Sequence, residues 1–180
     1  MGHGSLKVIV GCMSSGKSEE LIRLVRREVI ARRQVACFKP AKDQRTDDSI
    51  ESRNQTSFPA TVVDAAEDIP AQVDPDCHLA AIDEAHFFGP GLLAVVEGLV
   101  RRGISVIVAG LDTDFRGQPF ETVAMLMAVA DHVRKLNAVC MRCGNEATRS
   151  QRLVASTERV LVGGDESYEA RCRDCHRVPE

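Results

Sequence analysis

Two segments of the sequence combine residue types that do chemistry together. Gly11-Cys12-Met13-Ser14-Ser15-Gly16-Lys17-Ser18 has the spacing G-x-x-x-x-G-K-[ST]. Its glycines let the backbone curl until several N–H groups face one point, and a helix starting behind them adds its positive end. Lys17 then reaches the outer phosphates of a nucleoside triphosphate such as ATP, and Ser18 offers a hydroxyl to Mg²⁺. Further along, Asp83-Glu84 closes the apolar run Leu79 to Ile82. A carboxylate at such a strand end holds Mg²⁺ directly or through water, so Asp83 is the metal-directing candidate. Glu84 is the candidate acceptor for the proton of an attacking hydroxyl. Adjacent acids also cap helices; the phosphate loop and the apolar run before them favour the catalytic reading.

Four of the seven cysteines form Cys140-x-x-Cys143 and Cys172-x-x-Cys175. Four thiolates are the ligand set of a closed, structural Zn²⁺ site, which leaves no open position for catalysis. The loop between the pairs is long for a zinc ribbon, so the metal is expected to pin the base of an excursion. That excursion contains Gly163-Gly164 and the only tyrosine, Tyr168. His176 is an alternative ligand. The start of the chain, Met1 to Ser5, lacks the charged and apolar regions of a secretory signal, which argues for metal binding over disulfides. Cys37 and Cys77 read as ordinary buried thiols.

Alternating elements must position these groups. Leu6 to Val10 reads as a buried strand and Lys17 to Arg32 as a helix. On that helix Leu21, Ile22, Val25, Val29 and Ile30 share a face, while Arg26, Arg27, Arg32 and Arg33 meet solvent. Strands follow at Val35 to Lys39 and Thr61 to Val63, with a polar flexible loop over the site from Lys42 to Ser57 between them. A short broken helix spans Ala65 to Val73. Then come the strand Leu79 to Ile82, the helix Pro90 to Arg102 with Leu92, Val95, Val96 and Leu99 inward, and the strand Ile104 to Ala109. A helix over Phe120 to Ala130 and a strand over Val133 to Val139 complete the rhythm. The fold class is α/β: a P-loop (RecA-like), mostly parallel sheet flanked by helices. Two domains are expected, residues 1–138 for the nucleotide and 139–180 for the zinc.

The totals exclude several classes. A net charge of −3 and 4% aromatic residues leave neither a basic stripe nor a base-stacking platform for nucleic acid. No run approaches a membrane span. Asp83-Glu84-Ala85-His86 spells the motif of a helicase class, but such motors need two RecA-like domains and 180 residues hold one. His86 is either a pocket hydrogen-bonding group or a packed histidine. Two readings other than a kinase remain: a P-loop ATPase or switch with a partner-binding zinc module, and a non-enzymatic zinc-ribbon nucleic-acid module, which the absent basic stripe disfavours.

The combination resembles the type II thymidine kinase family, and the resemblance covers nearly the whole chain. It is carried by the phosphate loop with Met13 inside it, Asp43-x-Arg45, Ile82 to Phe88, Ala109 to Asp112, Phe115, Lys135 to Cys140, Val162 to Gly164, Tyr168 and Cys172-Arg173-x-Cys175. It implies ATP-dependent phosphorylation of the 5′-hydroxyl of thymidine, and of deoxyuridine, in nucleotide salvage for DNA synthesis. Glu84 is then the proton acceptor, with Mg²⁺ on Ser18 and Asp83. Asp43, Arg45 and His86 belong with the phosphates. Met13, Phe87, Leu111, Phe115 and Tyr168 line the thymidine pocket. A zinc-anchored lasso, here Leu161, Val162 and Gly163, grips the base through main-chain groups, with Ser150 as a side-chain contact. The resemblance further implies a cytoplasmic homotetramer inhibited by thymidine triphosphate. The chain departs from the family at Cys12, where Pro or Ala is usual, at Ser14, where Phe or Asn is usual, and at His86, where Gln is usual. His86 places a titratable group beside Glu84.

Overall fold

The computed structural model describes residues 4–43, 48–52, 56–156, 158–164 and 166–178. The chain runs β1 (Leu6–Gly11), α1 (Lys17–Ile30), β2 (Val35–Pro40), β3 (Ser49–Glu51), β4 (Ser57–Pro59) and β5 (Thr61–Val63). A 3₁₀ turn (Ala66–Asp68) and α2 (Ile69–Gln72) lead to β6 (Leu79–Ile82), α3 (Gly91–Arg101), β7 (Ser105–Gly110), α4 (Glu121–Val129) and β8 (His132–Leu136). The six-stranded sheet has the order β5-β2-β6-β7-β1-β8, and every pairing in it is parallel.

A parallel sheet is covered on both faces, so its strands read as continuous apolar runs. Alternation along β1 sends Val8 and Val10 to the side of α3 and α4, where they meet Leu92, Val96, Leu99, Val123 and Leu126. Ile9 goes to the other side and meets Leu21, Ile22 and Val25 of α1. Because β1, β6 and β7 are neighbours and parallel, the segments that follow them leave the same edge. The phosphate loop, the Asp83-Glu84 pair and the Leu111–Phe120 turn are thereby brought together, as expected at the carboxyl ends of an open α/β sheet.

Three expectations change. Val29 and Ile30 are 46% and 81% exposed, although both are expected on the apolar face of α1. At about 3.6 residues per turn Ile30 in fact lies opposite Leu21, and only Val29 continues that face. Periodicity assigns a face; how far burial extends depends on where the sheet beneath it ends. The segment Lys42 to Ser57 is not a structureless loop: β3 and β4 pair antiparallel, with Ile50 opposite Phe58. These two side chains seat the hairpin against α1 and β2. Finally, the last strand does not run from Val133 to Val139. β8 stops at Leu136, where its partner β1 ends at Gly11. β9 (Ala138–Val139) leaves the sheet to pair with β10 (Glu146–Ala147), and β11 (Arg149–Arg152) pairs with β12 (Tyr168–Arg171).

Leu21→Ala should cost about 2–5 kcal/mol, whereas Ile30→Ala, on the opposite side of α1, should change stability by less than ~0.5 kcal/mol. Denaturant unfolding of both variants checks the contrast; equal losses would contradict the burial pattern.

Candidate active site

The phosphate loop is bound tightly to what lies beneath it. Gly11 has φ 152°, and a β-carbon there would sit 2.3 Å from the Leu136 carbonyl oxygen and 2.7 Å from Ser15 Oγ. Only glycine fits. Gly16 at φ 83° opens α1, and Ser14 accepts a left-handed φ of 63°. Lys17 is buried, its Nζ donating to the Cys12 carbonyl at 2.8 Å. Burial lowers its pKa, against the opposing pull of Glu84, Cys12 and Asp83. Ser15 Oγ is buried with no hydrogen-bond partner among the described residues. A desolvated ammonium and an orphaned hydroxyl in a curled loop fit a polyanion such as a triphosphate.

Cys12 and Met13 tether this loop to the C-terminal strands. The Cys12 thiol donates to the Ala147 carbonyl at 3.3 Å, and the Met13 N–H donates to Ser150 Oγ at 3.0 Å. Cys12 is fully buried, and burial raises its pKa, so it is held as a neutral thiol. Cys37 and Cys77 are also buried, the former with its pKa pushed up to about 12 by burial.

Asp83 and Glu84 are both buried where β6 ends. Glu84 adopts a left-handed backbone, φ 51° and ψ 41°, which is costly for a side-chain-bearing residue. The turn puts its N–H 2.8 Å from Asp83 Oδ1. Burial first, and then the neighbouring Glu84 charge, raise the Asp83 pKa to about 7; the Glu84 N–H and the Ser18 hydroxyl oppose this. Ser18 and Asp83 thus present adjacent hard oxygen donors, which suit Mg²⁺. His86 serves both of the roles left open for it. Its ring packs on Phe87 and Phe120, and its Nδ1 accepts the Leu111 N–H at 3.3 Å. Glu84 Oε2 lies 3.5 Å from the same Nδ1.

Cys140, Cys143, Cys172 and Cys175 converge, with all four Sγ atoms within 4.8 Å of one another. Cys143 Sγ and Cys172 Sγ are 3.6 Å apart. Tetrahedral Zn²⁺ with ~2.3 Å bonds separates its ligands by about 3.8 Å, so the residues fit that ion. His176 is not part of the group; its Nε2 lies 2.8 Å from the Phe115 carbonyl oxygen.

One cavity of about 270 Å³ joins these parts. Met13 to Ser18 and Glu84 line it together with His86, Phe87, Leu111, Phe115, Ser150, Leu161 to Gly163 and Tyr168. Gly11, Cys12 and Asp83 lie behind this wall. Asp43 does not line the cavity; it is buried in an ion pair with Lys39, 3.5 Å from its Nζ. Arg45 lies outside the described residues. Sequence reasoning missed Glu51 and Ser52, which enter from the hairpin, and Asp114 and Arg159. Arg159 Nε is 3.1 Å from the buried Asp114 Oδ2, and its Nη2 donates to the Pro119 carbonyl at 2.7 Å. The apolar alternation of Ile50 and Phe58 was a usable signal for the hairpin. The Asp114–Arg159 pair, distant in sequence, had none.

A family model described as thymidine kinase matches residues 4–176. The chain belongs to the thymidine kinase family. Members of the thymidine kinase family are nucleoside kinases, so the reaction class is phosphotransfer to a nucleoside. Among the described residues no helix is long and apolar enough to cross a membrane.

Two outcomes follow. Asp83 has a folded-state pKa above its unfolded one, so its contribution to stability is full below about pH 4 and is lost as pH rises through about 7. Asp83→Asn should therefore gain in melting temperature relative to the ligand-free parent between pH 5 and pH 8; a constant difference would contradict this. Stripping zinc with a chelator should release the strap, the segment 153–167 between β11 and β12, and raise the KM for nucleoside, with metal content followed by atomic absorption. Unaltered kinetics in metal-free protein would remove the structural role of the four cysteines.

Proposed function

We propose that this thymidine kinase family member transfers the γ-phosphoryl group of ATP to the 5′-hydroxyl of thymidine, and of deoxyuridine, giving the nucleoside monophosphate and ADP for nucleotide salvage. The observation carrying this is the shared cavity: Lys17, Ser18 and Glu84 line the same space as Leu161 to Gly163 and Tyr168. A phosphate site continuous with a pocket lined by Phe87, Leu111, Phe115 and Tyr168 suits a neutral nucleoside acceptor.

Residues 1–138 supply the nucleotide half of this reading and residues 139–180 the closing half. The loop amides of Gly11 to Gly16 and Lys17 bind the triphosphate. Ser18 and Asp83 would hold Mg²⁺, whose charge offsets that of the phosphates. Arg45 is the residue proposed to approach them, while Asp43, buried against Lys39 away from the cavity lining, is not. Glu84 takes the proton of the 5′-hydroxyl as that oxygen attacks phosphorus, and His86 supports it from 3.5 Å. Met13, Phe87, Leu111, Phe115, Ser150 and Tyr168 enclose the base, while the strap excludes the water that would otherwise accept the phosphoryl group. Positioning and charge neutralisation supply most of what phosphoryl transfer needs. The reading extends to a cytoplasmic homotetramer subject to inhibition by thymidine triphosphate.

Purified protein given ATP, Mg²⁺ and each nucleoside in turn should form monophosphate only with thymidine or deoxyuridine. Glu84→Gln should lower kcat by about 10²–10⁴-fold while ATP still binds. Nucleoside-independent ATP hydrolysis, or full activity in Glu84→Gln, would overturn the reading.

A further inference from the structure

The hairpin of β11 and β12 places one unassigned arginine beneath the strap. Alternate residues of a strand share a face, so Arg152 lies on the same face of β11 as Ser150, which lines the cavity. Arg152 also stands directly across from Tyr168 in the β11–β12 register. Its side chain is as buried as a core residue, at 2% exposure. A guanidinium taken out of water at that cost needs partners for its donors, and here the two Nη groups find them while the buried Nε has none among the described residues. Nη1 donates to the Ser156 carbonyl at 3.0 Å and to the Glu158 carbonyl. Nη2 donates to the Tyr168 hydroxyl oxygen at 2.6 Å. The guanidinium plane covers the Phe115 ring, 3.7 Å from its centroid.

These contacts impose a direction. Arginine has no acceptor, so the Tyr168 oxygen must accept and its own proton must go elsewhere. It goes to the Leu161 carbonyl, 3.1 Å away. Arg152 therefore holds the strap at residues 156 and 158 directly, and at residue 161 through Tyr168, while bracing Phe115. Phe115, Leu161 and Tyr168 all line the cavity.

We infer that Arg152 is a positioning residue for nucleoside recognition, fixing the main chain of the strap and two side chains of the pocket without touching the phosphate loop. This rests on the nucleoside reading of the cavity. A planar fork is required: lysine offers charge but cannot reach two carbonyls, a hydroxyl and a ring face together.

The test compares Arg152→Met and Arg152→Lys with the parent enzyme. Arg152→Met should raise the KM for thymidine about 10–100-fold, with the KM for ATP within about twofold and zinc content unchanged. Arg152→Lys should recover only a minor part. A general structural role would raise both KM values or lose zinc, and would overturn the inference, as would an unchanged KM for thymidine. Should Arg152→Met not fold, Tyr168→Phe breaks only the Leu161 branch and should raise the thymidine KM alone; no change there sinks the proposal. Limited proteolysis without substrate separates this inference from the functional reading. Loosened straps in the arginine variants should be cut within residues 153–164 whatever the acceptor is, and resistance equal to the parent's would overturn the positioning role alone.

Discussion

The structure depends on how the phosphate loop is gripped from two sides. Below it, Gly11 lies so close to the Leu136 carbonyl that no side chain fits between them. Beside it, the Cys12 thiol and the Met13 N–H are bonded to Ala147 and Ser150. Both Leu136 and Ala147 belong to the stretch where the chain abandons the sheet for the cysteine module. The nucleotide half and the closing half are therefore one packed unit at the loop, and Cys12 sits in the same apolar cluster as Cys140 and Cys172. This gives the unusual cysteine of the loop a plain physical role, as a small buried group filling a joint.

That joint matters because the site collects charges that water would otherwise stabilise. Lys17, Asp83 and Glu84 are each under 10% exposed. Burial makes the Lys17 ammonium easier to deprotonate and the Asp83 carboxyl harder to ionise. Lys17 and the two carboxylates sustain one another, while Glu84 opposes the ionisation of Asp83, so small displacements of the loop carry a large electrostatic cost. A rigid cradle of this kind suits a reaction whose transition state differs from its ground state mainly in where charge lies.

Most of the frame was legible in the sequence because it obeys local rules. The alternation of apolar strands and amphipathic helices, the spacing of the phosphate loop and the two cysteine pairs all encode their geometry within a few residues. What escaped depends on pairings between distant segments. The exposure of Val29 follows from where the sheet stops, while that of Ile30 follows from its place opposite Leu21 on α1. The break at Asn137 follows from β1 ending at Gly11. Arg152 carries no signal of its own in the sequence; only the hairpin register sets it opposite Tyr168.

Holding the strap in place is costly. Leu161 to Gly163 line the cavity only while the backbone that carries them is fixed, and each ordered residue costs roughly 1–2 kcal/mol of conformational entropy. The strap contains no helix or strand among its described residues to meet that cost. Side-chain anchors from outside must do so: the cysteine cluster at its base, Arg152 and Tyr168 beneath it, and Arg159 reaching across to Asp114 and Pro119. These anchors differ in character. The Arg152 contacts are buried and resist salt, whereas the Arg159 side chain is 45% exposed and its ion pair is open to screening. The strap is thus held by buried contacts near Tyr168 and by a half-exposed ion pair near Asp114.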